Sequence, residues 1–177
     1  HDAFWSMPGL RDWRQAVRQV APAIREVAQY AQNRGVRTCT ENHGMIMQDA
    51  TRVEWMINEV SHSNYGWLVD IGNFMCADED PAYAVGIAAP YAFHAHVKDF
   101  LFKPGAWDAP QGGWFRSRGG NYLRGTVIGD GVVPVKQCVS ILQRAAYDGW
   151  LSVEFEGAEE VLPALTNARK FLAGLGL

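Results

Sequence analysis

The sequence predicts an α/β fold built from parallel βα units, and three observations carry that expectation. Helical and strand-like apolar spacings alternate along the chain, which implies βαβ crossovers and a parallel sheet. Four strands are visible, and each has a ligand-type polar residue at or near its end. The length of 177 residues suits one domain. Four strands fit either a small open α/β sheet or half of an eight-stranded barrel, which needs roughly 250 residues when complete.

Residues 12–34 read as a helix, because Trp13, Ala16, Val17, Val20, Ile24, Val27, Ala28 and Ala31 recur at three- and four-residue intervals before Gly35. Pro22 inside this pattern predicts a kink or a restart. Residues 36–41 alternate as a strand and run into Asn42-His43-Gly44. A second helix over 49–60 places Val53, Met56, Ile57 and Val60 on one face. A short strand over 67–70 ends in Asp-Ile-Gly-Asn, and Pro81 suits the first turn of a helix over 81–89. The third strand covers 93–98. Between 101 and 131 the pattern stops, and Gly-rich sequence with Trp107, Trp114, Phe115, Arg116, Arg118 and Arg124 reads as a long excursion. Such a loop in a compact domain is usually functional, and these residues suit a lid or a partner-binding arm, the arginines matching phosphate or carboxylate. The alternative is a solvated loop pinned by a few aromatics. Helical spacing returns over 135–147, a fourth strand over 150–156, and a closing helix over 159–173 before Gly174. The expectation is one domain over 1–177 with an excursion at 101–131.

Hydrophobic residues at 48% and charged residues at 20% exclude intrinsic disorder. Sixteen Lys plus Arg against nineteen Asp plus Glu argue against a nucleic acid or an anionic membrane as partner. No apolar run approaches the ~20 residues that span a bilayer. Cys39, Cys76 and Cys138 are widely spaced without a CxxC pair, which suggests reduced thiols in a cytoplasmic chain. His1 is followed by no charged-then-apolar leader, and the lack of an initial Met suggests a chain cut from a longer one.

The strand-end residues are Glu41, Asp70, His96 and Glu154. In parallel α/β folds the C-terminal strand ends form the active face, so the four would converge there. Three carboxylates and an imidazole make a hard site suited to Mn²⁺, Mg²⁺ or Co²⁺, with Zn²⁺ also accommodated. Singly, each residue is more simply a helix cap, a turn residue or a hydrogen-bonded core histidine.

Thr40-Glu41-Asn42-His43-Gly44, Val69-Asp70-Ile71-Gly72-Asn73-Phe74, His94-Ala95-His96-Val97-Lys98-Asp99, Gly129-Asp130-Gly131 and the stretch from Tyr147 to Gly157 follow in order. Together they resemble the xylose isomerase-like TIM barrels that include sugar phosphate isomerases and epimerases, and the resemblance runs from about Asp12 to the end. It implies a C-terminal half-barrel, since complete members carry four βα units before the ENHG-like strand. It implies one divalent metal, Mn²⁺ first, held by Glu41, Asp70, His96 and Glu154. It also implies that Glu41 and Glu154 act as acid and base, moving a proton through a metal-stabilised enediolate. His43 is a further candidate base. Asn73, where several members carry a substrate-contacting His, His94, Lys98 and Glu156 are expected substrate contacts, Lys98 and Asp99 alternatively supporting the ligands from behind and Glu156 a substitute ligand for Glu154; Arg124 of the excursion is a further expected substrate contact. The implied activity is isomerisation or epimerisation of a carbohydrate. The alternatives are elimination on oxidised sugars or glycosides, favoured by His43 as base, and a non-catalytic half-barrel subunit. An endonuclease-like reading fits the acidic balance poorly. Open strand edges predict a homo-oligomer or a covering partner.

Overall fold

The computed structural model describes residues 12–44 and 46–176. The segment read for a leader lies outside them. Helix α1 (Trp13–Gln32) is followed by β1 (Thr38–Glu41), α2 (Ala50–Val60), β2 (Tyr65–Asp70), α3 (Pro81–Ala88) and β3 (Ala92–Val97). After β3 come β4 (Asp99–Lys103), β5 (Phe115–Arg116) and β6 (Tyr122–Thr126), then α4 (Val135–Arg144), β7 (Leu151–Val153) and α5 (Val161–Ala173). The parallel sheet has the order β1-β2-β3-β7, and β4-β6-β5 form a separate antiparallel sheet.

Capping explains where the helices start. Asp12, Asp49 and Asp80 each accept a hydrogen bond from a first-turn N–H of α1, α2 and α3. Arg25 on α1 donates to the Val60 and Glu59 carbonyls at 2.6 and 3.0 Å, capping the last turn of α2 and tying the two helices together. Helix α1 runs through Pro22 as one element, against the expected restart. Pro22 and Arg18, whose carbonyl loses its helical partner, both lie on the exposed side of the helix.

One face of the parallel sheet is apolar: Trp67, Val69, Ala95 and Val97 are fully buried in the core with Val53, Met56, Val85 and Leu142 from the helices. By strand period the opposite face carries Cys39 and Glu41, Leu68 and Asp70, His94 and His96. Register holds the polar layer level, with Asp70 opposite His96 and His96 opposite Ser152. An irregularity between Trp67 and Leu68 leaves Phe93 as an extra residue in β3. The Phe93 ring lies over Gly66, where a Cβ would stand 2.6 Å from it.

The excursion is the main departure from the sequence reading. It is a folded antiparallel sheet in which Asp99–Lys103 pairs with Tyr122–Thr126. Asp99 anchors its base: the buried carboxylate accepts from the N–H groups of Phe100, Gly129, Gly131 and Val133 at 2.8–3.0 Å. A Cβ on Gly131 would stand 2.1 Å from Asp99 Oδ1, which explains the second glycine of Gly129-Asp130-Gly131. Asp99 therefore holds backbone rather than a ligand or substrate. Asp78 anchors the tip, accepting from Ser117 Oγ at 2.6 Å, Asn121 Nδ2 at 2.8 Å and the Gly119 N–H. Among the described residues no helix is long and apolar enough to cross a membrane.

Candidate metal centre and the pocket beside it

Glu41 and Asp70 end β1 and β2, His96 is the penultimate residue of β3, and Glu154 follows β7 directly. One ligand atom from each lies within 4.8 Å of the others. Ligands about 2.1 to 2.4 Å from a six-coordinate cation stand roughly 3 to 4.8 Å apart, which is the scale of this cluster.

The local sequence positions each ligand. Asn42 is fully buried; its Nδ2 donates to the Asp70 carbonyl at 2.8 Å, and its Oδ1 accepts from Asp70 N–H and from Trp67 Nε1. It staples the end of β1 to the end of β2. Asp70 Oδ1 accepts from the N–H groups of Gly72 and Asn73 at 2.8 and 2.9 Å, which turns Oδ2 toward the cluster. Gly72 sits where a Cβ would come within 2.8 Å of the Lys98 carbonyl. His96 Nδ1 lies 2.8 Å from Glu154 Oε2 and 3.5 Å from Glu41 Oε1. Behind them Lys98 Nζ stands 3.0 Å from Glu154 Oε1, 3.0 Å from Glu156 Oε2, 3.5 Å from Asp70 Oδ2 and 3.3 Å from Asn73 Oδ1.

The electrostatics are those of a site short of positive charge. Burial pushes the Asp70 carboxyl well above the usual range, against the Lys98 ammonium and with the help of Glu154. Burial acts the same way on Glu154, but Asp70, Lys98 and His96 outweigh it and hold that carboxyl low. The Glu41 carboxylate and then that of Glu154 hold the His96 imidazole above its ordinary range despite burial. Glu41 Oε1 and Asp70 Oδ2 are buried without a hydrogen-bond partner. Two buried carboxylate oxygens that make no hydrogen bond, with His96 Nδ1 and Lys98 Nζ each 3.5 Å away, leave coordination that a bound cation would satisfy.

The remaining expected site residues divide. Asn73, His43 and Glu156 line a pocket of about 250 Å³ beside the quartet, together with Gly44, Gln48, Cys76, Phe100, Phe115, Arg116 and Arg118. Glu156 binds Lys98 and stands outside the ligand cluster. His94 lies one layer below His96, its Nε2 2.8 Å from Ser152 Oγ, and burial followed by the His96 charge pushes its pKa down. Arg124 packs 5.4 Å from the Trp114 ring and is not among the pocket's walls. Arg116 and Arg118 take that place, and nothing in the sequence separates the three arginines. Gln48, Cys76 and Phe100 were likewise not readable as site residues; only the folded excursion sheet and the turn after β1 bring them together.

Comparison with known proteins fits this geometry. A family model for the xylose isomerase-like TIM barrel matches residues 3–175. Inosose dehydratase from Bacillus anthracis is 26% identical over 171 residues, covering 87% of this chain and 53% of that protein. The chain thus spans about half the length of the relatives it matches. A xylose isomerase-like TIM barrel protein from Mycobacterium smegmatis, solved with magnesium, superposes with a TM-score of 0.72 at 20% identity, covering 97% of this chain and 54% of that one. D-psicose 3-epimerase from Clostridium cellulolyticum H10, solved with D-tagatose, gives a TM-score of 0.65 at 18% identity over 92% and 58% of the two chains. Matched along nearly its whole length, the chain belongs to the xylose isomerase-like TIM barrel family.

Proposed function

We propose that this chain carries the metal centre of a carbohydrate isomerase or epimerase that moves a proton next to a substrate carbonyl. The observation that carries the reading is the quartet at the strand ends, with two buried carboxylate oxygens that make no hydrogen bond. Glu41, Asp70, His96 and Glu154 hold the ion, with Mn²⁺ the first choice and Mg²⁺, Co²⁺ or Zn²⁺ compatible with the same donors. The ion supplies Lewis acidity that lowers the cost of negative charge on the substrate oxygens. Glu41 and Glu154 both lie against His96 Nδ1, at 3.5 and 2.8 Å, and each offers an oxygen that takes or returns a proton. Asp70, Lys98 and His96 together keep Glu154 ionised. Asn73, Glu156 and His43 face the substrate from the pocket wall.

Elimination of water from an oxidised sugar is the second reading. His43 on the pocket wall supplies a base away from the ligands, and an inosose dehydratase is among the sequence relatives. The three free thiols fit a reducing, cytoplasmic setting.

Solvent deuterium separates the two. A Mn²⁺-loaded chain incubated in D₂O with ketoses and inososes is expected to wash out the proton next to the carbonyl. Glu154→Gln should cut that exchange roughly 10²- to 10⁴-fold. Growth of an enone absorbance, lost in His43→Ala, would establish elimination instead. A metal-loaded chain that does neither contradicts the proposed function.

A further inference from the structure

Arg116 lines the pocket beside the quartet from β5. Its guanidinium is held by neutral partners: one Nη donates to the Gly120 carbonyl at 2.8 Å, and the other donates to the Tyr122 hydroxyl at 2.5 Å. Its centre lies 4.3 Å from the Tyr122 ring centroid. The other charges on the wall are compensated: Arg118 pairs with Asp49 at 2.7 Å, and Glu156 pairs with Lys98 at 3.0 Å. Arg116 is therefore oriented, and among the described residues no carboxylate neutralises it. Phe100 and Phe115, edge to face at 5.7 Å, make the apolar part of the same wall.

We propose that Arg116 receives an anionic group of the substrate, a carboxylate or a phosphate, so that the site selects acidic over neutral carbohydrates. This rests on reading the pocket as the carbohydrate site. A planar guanidinium matches both oxyanions through paired N–H donors, and fixing it in advance removes the entropy cost of ordering a free side chain. Arg116 is exposed, so salt screens the contact, and the expected gain is about 10-fold at physiological ionic strength.

Two readouts on the Mg²⁺-loaded chain test it. The Arg116 Nε–Hε resonance, identified by its loss in Arg116→Lys, should shift on titration with millimolar inorganic phosphate. In calorimetry, D-fructuronate or D-fructose 6-phosphate should bind about 10-fold tighter than D-fructose, and the acid that binds tighter names the group. Arg116→Gln should abolish that preference, bringing the affinities for the acids and for fructose together. A resonance that phosphate does not move, or an acid preference that survives Arg116→Gln, overturns the proposal. If phosphate shifts the resonance but no ketose binds, the carbohydrate reading fails and the anion-receiving role of Arg116 stands.

Discussion

Lys98 is 1% exposed, yet its ammonium lies within 3.5 Å of three carboxylates. Burial alone would drive an amine toward its neutral form; here Asp70 and Glu154 reverse that and raise its pKa. Removing one partner of such a buried cluster leaves charge uncompensated, which typically costs about 3–5 kcal/mol. Lys98→Met is expected to destabilise the metal-free chain by that order in urea denaturation. Added Mn²⁺ should restore part of the loss, because the cation takes over the compensation. Wild-type stability in Lys98→Met without metal would show that the carboxylates are held by something else. At this scale the sequence was informative about the ligands and poor on their supports. A carboxylate at the end of an apolar strand is visible in one dimension. The acceptors that Asn42 and Asp99 offer to backbone N–H groups are not, because their partners lie 28 to 34 residues away for Asp70 and Val133.

The βα elements were readable because their periods are local and their caps are Asp residues beside the first turn. The excursion sheet was not. Its strands pair across a Gly-rich stretch, β5 has two residues, and only Lys98 separates β4 from β3, so the two merge by eye. Asp78 clamps the tip of this sheet, and Arg118 adds a bond from its N–H to the Cys76 carbonyl at 2.8 Å. Asp78→Ala should free the tip, with faster proteolysis near residues 117–120. The stability loss should be about 1 kcal/mol, kept small by the solvent exposure of Asp78. Burial opposes ionisation of Asp78, but bonds from Ser117, Asn121 and Gly119 prevail and hold its pKa below the ordinary value. Its contribution is therefore fully present above the unfolded-state pKa of about 3.9 and is lost as pH falls through the lower folded value. Tip protection that persists in Asp78→Ala at pH 7 would contradict the clamp.

Among the described residues the parallel sheet ends at β1 on one side and β7 on the other. Exposed apolar residues border them: Val36 at 56% before β1, Trp150 at 82% before β7, and Leu162 at 78% on α5. The chain spans about half the length of the relatives it matches. Covering these edges, by a second copy or by further barrel strands, is the expected way to bury them. In light scattering at micromolar concentration the chain should run above its monomer mass of 19.7 kDa, and Trp150→Glu with Leu162→Glu should return it to monomer. A wild-type monomer would contradict self-association.

All of these scales meet in whether Glu41, Asp70, His96 and Glu154 form one metal site. The direct measurement is a calorimetric Mn²⁺ titration of the chelator-stripped chain at pH 7.5, with Glu41→Gln as the control. The account predicts near one ion per chain and loss of binding in Glu41→Gln. A wild-type chain that takes up no Mn²⁺, or a Glu41→Gln variant that binds as tightly, would contradict it.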